Sequence, residues 1–208
     1  MNKKLLSLAA VGLIGSSTSL FAGPIPYPTP GVENPITYTF TAAASGDLIG
    51  YFAGSTASYT EQVGLLDNSV MTSGGYGLNN KTSAIGSSFD FGNVTAGDTL
   101  VFVLNLISPP IGNAYSDPSL NAAFDGTTTG HNHIYSTAAT AGQIDASIPA
   151  GTYVAFEDLP APSSDFNYFD DTFVFTDVST TTSAPDSGST MMLLGMAVTG
   201  LGLLRRKI

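Results

Sequence analysis

From Ile36 the chain alternates, with Ile36, Tyr38 and Phe40 separated by Thr37, Thr39 and Thr41. A period of two sends successive side chains to opposite faces, so this segment predicts a half-buried β-strand. Residues 48–52 and 57–62 repeat the pattern more weakly, and the glycine-rich stretch 73–77 reads as a turn region. Residues 98–107 behave differently, because Leu100, Phe102, Leu104 and Leu106 occupy one parity while Val101 and Val103 occupy the other. Apolar residues on both faces are the pattern of a central sandwich strand. Further strands are predicted at 134–137, 152–156 and 172–178. Nowhere between the two ends do apolar residues keep helical spacing for three turns. The predicted fold is therefore all-β, an antiparallel β-sandwich or jelly roll spanning residues 36–178. Ahead of it, residues 23–35 carry five prolines and read as an extended arm that packs little by itself. Behind it, residues 179–183 read as a flexible Ser/Thr linker.

The two ends follow other rules. Lys3 and Lys4 precede an apolar run at 5–14 and a small-residue stretch at 16–22, the layout of a secretory signal peptide over 1–22. Cleavage after Ala22 is favoured, with Ser19 as the alternative. At the other end, residues 184–208 place a short polar motif before the apolar run 191–204 and a basic stop, Arg205-Arg206-Lys207. A helix of 14 residues reaches about 21 Å, short of the roughly 30 Å bilayer core. Counting from Ser187 gives 18 residues, a marginal span. The tail is thus either a plain membrane anchor or a sorting label.

Setting both ends aside changes the charge. Lys81 is then the single Lys or Arg facing fifteen acidic residues, a net charge of −14 between residues 23 and 183. So acidic a surface cannot neutralise phosphates, which excludes nucleic acid as a partner. It suits attraction of cations or residence in a polymer matrix. The chain has no cysteine, which rules out a lipoprotein anchor, disulfides and thiolate metal sites. An exported domain of this kind is held by its core, by a metal, or by both.

Chemistry concentrates at residues 157–171, where five carboxylates and an amide fall within 15 residues between two predicted strands. Gathering anions is unfavourable unless a cation or hydrogen-bond donors compensate, and calcium takes six to eight oxygen ligands of this type. The candidate ligands are Glu157, Asp158, Asp165, Asn167 and Asp170, and the competing reading is a solvated acidic loop. The spacing is not that of an EF-hand, since Phe169 stands at a ligand position and the turn glycine is missing. His131 and His133 could share a strand face toward zinc or copper, but no third ligand is near in sequence, so an exposed loop is expected. Asn121, Asp125 and Gly126 form another oxygen-bearing turn, of a kind common without metal. Glu157 and Asp158, adjacent on a strand, should point to opposite faces. With no G-x-S-x-G elbow and no phosphate-cradling loop, an enzyme is not expected.

Two resemblances sharpen this reading. Pro185, Asp186, Ser187, Gly188, Ser189 and Thr190 resemble the V-P-D-S-G-S-T variant of the PEP-CTERM sorting tails, with Ala184 in place of Val. That resemblance implies recognition by a membrane-embedded exosortase, transient or retained anchoring in the membrane through the tail, and export to the cell envelope, surface or extracellular matrix. Phe156-Glu-Asp-Leu-Pro160, then Asp165, Tyr168 and Asp170, resemble an exported bacterial domain carrying F-E-D-L-P and D-x-D-Y-N-D motifs. Asn167 replaces an Asp of that pattern and Phe169 an Asn, and Asp171, which stands where the pattern is apolar, partly replaces the ligand lost at Phe169. This second resemblance implies a calcium site at these acids. Two functions follow as expectations: a non-catalytic, cation-binding structural protein of the envelope, or a calcium-assisted lectin-like module binding exopolysaccharide.

Overall fold

The structure is a computed structural model describing residues 24–184. Its strands, in chain order, are β1 (Thr37–Ala42), β2 (Gly46–Ser55), β3 (Thr60–Asp67), β4 (Val70–Gly77), β5 (Ser88–Val94), β6 (Thr99–Ser108), β7 (Gly112–Tyr115), β8 (Ile134–Ala139), β9 (Gly151–Phe156), β10 (Asp171–Phe175) and β11 (Val178–Ser183). A 3₁₀ turn at Pro118–Leu120 and one short helix, α1 (Ala122–Asp125), interrupt them. One sheet runs β11-β1-β6-β3-β4, with β7 also paired to β6, and the other runs β5-β2-β10-β9-β8. Every pairing is antiparallel. This is the all-β sandwich that the period-two pattern predicts, and the doubly apolar segment becomes β6 at the centre of its sheet.

The main core lies between the sheets. Phe40, Phe91, Phe102, Phe156, Phe173 and Phe175 are all buried there, joined by Leu48, Leu65, Leu100 and Leu104. Phe102 stacks on Phe175 with ring centroids 4.0 Å apart, tying the centres of the two sheets together. Interlocked aromatic rings of this kind add to the stabilisation from burial alone.

A second apolar cluster covers the outer face of the β8–β9–β10 sheet and corrects the expectation of a loose arm. Tyr27, from the proline-rich segment, is buried with Tyr153, Tyr168, Ile144 and Ile148. Its ring meets that of Tyr168 edge-on at 4.7 Å. The prolines hold the arm extended, and the arm docks because β9 and β10 present apolar side chains outward as well as inward. Two further expectations are corrected. Residues 73–77 are part of β4 and not a turn, since Gly74 and Gly77 sit against β5, where a Cβ would meet Asp90 backbone and the Phe89 ring within 2.5 Å. Residues 179–183 are no linker but most of β11, whose backbone pairs with β1 from Thr37↔Ser183 to Ala42↔Val178. A run of Ser and Thr suits such an edge strand, whose free side faces water.

Candidate metal centre

The acidic corner forms at one end of the sandwich, where the chain crosses from β2 in one sheet to β3 in the other. Three segments meet there: the start of β3, the loop leaving β9, and the loop entering β10. Strand β9 ends at Phe156. Glu157 and Asp158 follow the strand, so the alternation that would part them no longer applies. Glu157, Asp158 and Asp170 each place one carboxylate oxygen within 4.8 Å of the others, and all three residues are buried. That separation corrects the expectation of opposite faces. Oxygens gathered this closely could hold a metal ion.

Asp165 and Asn167 reach the same place from the loop. With Asp158 and Asp170 they line an open cleft of about 370 Å³, together with Thr56, Ser58 and Tyr59. Their orientation differs from that of the buried three. Asp165 is exposed. The Asn167 side-chain Oδ1 accepts from the Phe169 N–H at 2.8 Å, and its Nδ2 donates to Asp165 Oδ2 at 2.9 Å. The loop also contains two non-glycine residues in the left-handed region, Phe166 (φ 48°) and Tyr168 (φ 56°). Such backbone is unfavourable and persists only where other contacts hold it. Tyr168 supplies those contacts. Its buried hydroxyl donates to the Asn132 carbonyl (2.9 Å) and accepts from the Asn34 N–H (2.9 Å).

Two acids belong to this corner that the candidate ligand set omits. Glu61, near the start of β3, and Asp171, the first residue of β10, are both fully buried. Glu61 faces Asp171 and Asp158. The sequence signal for Glu61 was its phase: it shares the inward parity of Val63 and Leu65 on β3. Asp171, read from the resembling motif as a partial replacement for the ligand lost at Phe169, shares the inward parity of Phe173 and Phe175 on β10.

Burial dominates the electrostatics, and the facing carboxylates add to it. Glu61 is pushed up to about 9 by desolvation and by Asp171, and Glu157 to about 8 by desolvation and the charges of Asp170 and Asp165. Asp158 and Asp170 rise to about 7, and Asp171 to about 6, again chiefly through burial. Some N–H groups compensate: Leu159 and Asn167 donate to the two oxygens of Glu157, each at 3.3 Å, and Asp158 donates to Asp170 Oδ2 at 3.2 Å. The single lysine of the domain, Lys81, donates instead to the Ala57 carbonyl at 2.6 Å. Taken together, the arrangement is a set of desolvated carboxyl groups that raise one another's pKa.

The remaining candidates are structural. His133 is fully buried and not on an exposed loop; its Nε2 lies 2.8 Å from Asp125 Oδ1 and its Nδ1 3.3 Å from the Glu157 carbonyl. His131 turns elsewhere, with Nδ1 3.0 Å from Glu33 Oε2 on the arm, so the two rings share no metal position. Asp125 also accepts from the N–H groups of Ala161 and His131, at 2.9 and 2.8 Å. Burial alone would raise its pKa, but these bonds and His133 together hold it below the usual range. Asp125 and His133 thereby pin the 157–161 loop from behind. Asn121 bonds Tyr115 and the His131 carbonyl, and Gly126 (φ 64°) closes α1 in the left-handed conformation. None of the three offers an oxygen to an ion.

A β-sandwich with a desolvated acidic corner is the class that fold and site define. The tail supplies the second step. Residues 185–208, which lie outside the described residues, match the VPDSG-CTERM motif. The tail is thus a PEP-CTERM-type sorting signal, and it marks an exosortase-sorted protein directed to the cell surface. Comparison with curated proteins and with solved structures finds no match. Among the described residues, no helix is long and apolar enough to cross a membrane. The apolar run 191–204 and the signal peptide expected at 1–22 also fall outside the described residues.

Proposed function

We propose that this exported domain is a non-catalytic structural module of the cell envelope or matrix, stabilised by calcium at its acidic corner. The observation that carries the reading is the convergence of Glu157, Asp158 and Asp170 within 4.8 Å of one another, all buried, while Lys81, the one Lys or Arg among the described residues, is bonded to the Ala57 carbonyl. Calcium is favoured over softer metals because the ligands are all oxygen. Sequence supports a passive role too, since it carries neither a G-x-S-x-G elbow nor a phosphate-cradling glycine loop.

The test is thermal. Calcium at 100 times its dissociation constant should stabilise the folded chain by about 2.7 kcal/mol, some 5–10 °C in a domain of this size. Magnesium should do less, since it demands a tighter octahedral cage. Asp170→Ala should abolish the calcium shift, while His131→Ala should leave it intact. A calcium shift no larger than that of sodium at equal ionic strength would reduce the corner to a solvated acidic face.

The open cleft beside the acids favours a second reading. Tyr59, Thr56 and Ser58 line the cleft with Asp158 and Asp165, so an ion held there would meet ligands from solvent. This is the layout a calcium-assisted lectin needs, and exopolysaccharide is the matching partner. Calcium-dependent retention on exopolysaccharide, lost in Tyr59→Ala, would select it over the structural reading.

For the tail, the expected outcome is processing by an exosortase. Mass spectrometry of the protein recovered from the cell surface should find residues 191–208 missing. An intact C-terminal Ile208 would mean that the tail serves as a plain anchor.

A further inference from the structure

The five buried carboxylates at the corner carry more charge than one divalent ion offsets, and they fall into two groups. Glu157, Asp158 and Asp170 form the set whose oxygens lie mutually within 4.8 Å, and Glu61 and Asp171 stand outside it. On the cleft side, Glu157 feels Asp170 and Asp165. On the inner side, Glu61 and Asp171 face each other and both feel Asp158 and Asp170. Asp158 and Asp170 are therefore common to both groups.

The inner pair is also unsatisfied. Both oxygens of Asp171 and Oε1 of Glu61 are buried without a hydrogen-bond partner. The Ser55 hydroxyl accepts from the Ala57 N–H and the Asn80 amide, and the one proton it can donate toward Asp171 cannot satisfy three oxygens. Asn80 gives Glu61 Oε2 only a long contact of 3.5 Å. Leaving buried polar atoms unpaired is unfavourable, and most of all for charged groups. A native fold tolerates three such oxygens at one point when something else binds them.

We propose that the corner holds two divalent cations, the second lying between Glu61, Asp171 and Asp158, with Asp158 shared between the two sites. The inner ion clips the two sheets together, because Glu61 belongs to β3 of one sheet and Asp171 to β10 of the other. The outer ion orders the 157–170 loops, and the inner one closes the end of the sandwich. This assignment rests on the cation-binding reading above and adds its stoichiometry and its inter-sheet role. All ligands are oxygen, so the class of ion is again hard and divalent, with calcium the natural occupant.

The experiment counts ions. The purified full chain is stripped with chelator, dialysed against calcium and assayed for bound metal per chain, alongside Glu61→Gln and Asp171→Asn. Two calcium ions are expected in the wild type and one in either variant, with the calcium-induced rise in melting temperature reduced but not lost. Both substitutions keep side-chain size and remove a buried charge, so the variants are expected to fold, and melting in chelator at pH 6 checks this. If neither folds, the wild-type count still decides. One ion in the wild type overturns the inner site and leaves the outer one standing. No bound ion overturns both.

Discussion

Without divalent cations, the protein should melt at a clearly higher temperature at pH 5 than at pH 8.5. Carboxylates in an unfolded chain titrate near pH 4. In the folded chain Glu61 titrates at about 9, Glu157 at about 8, Asp158 and Asp170 at about 7, and Asp171 at about 6. Between those limits the native state holds more protons than the unfolded one, so stability falls as pH rises. The contribution is fully present below pH 4 and is lost as pH passes through 6–9. Even one group shifted by two units is worth about 2.7 kcal/mol, some 5–10 °C in a domain of this size. His131, raised by its bond to Glu33, acts in the same direction near neutrality. Calcium separates the two effects. It replaces the protons at the corner, so it should flatten the acidic cluster's share of the slope, stabilise most at pH 8.5 and least at pH 5. A calcium-free melting temperature that is flat or rising over this range would show that the acids are not buried together.

Tyr168→Ala should be the most damaging single change outside the main core. The residue fills a fully buried position, packs edge-on against Tyr27 and bonds both Asn132 and Asn34. Truncating a buried aromatic costs about 3–5 kcal/mol, and alanine would also have to keep a left-handed backbone at φ 56°. The arm and the ligand loop share this anchor. Loss of Tyr168 should therefore weaken calcium binding as well as lower the melting temperature. Tyr168→Phe keeps the packing and leaves the Asn34 N–H and the Asn132 carbonyl without their partner, so a smaller loss of about 1–3 kcal/mol is expected. Calorimetry with and without calcium measures both effects. A Tyr168→Ala variant that melts within a degree or two of the wild type would mean the arm is not docked through this ring.

The fold was readable from the sequence because a strand writes its burial into a period of two. The pattern at Ile36–Phe40 and the doubly apolar run that became β6 needed no tertiary knowledge. The misread segments share one cause. Residues 73–77 and 179–183 lack a buried apolar face of their own, and they are strands because neighbouring backbone pairs with theirs. The same holds for the arm, whose docking depends on an outward-facing apolar surface presented by β9 and β10.

The candidate site divides along a similar line. Composition and motif by themselves determined that this is an exported, acidic, cysteine-free chain with a sorting tail and a local concentration of oxygen ligands at 157–170. They did so because a motif recognised by another protein, and a cluster within one loop, are local in sequence. Only the tertiary structure decided which of those acids meet and which others join them. Glu61 lies almost a hundred residues before Glu157, and it reaches the corner because the chain changes sheets just ahead of β3. Burial, which turns scattered carboxylates into desolvated and mutually repelling ones, is a property of the packed sandwich and cannot be written in any single segment.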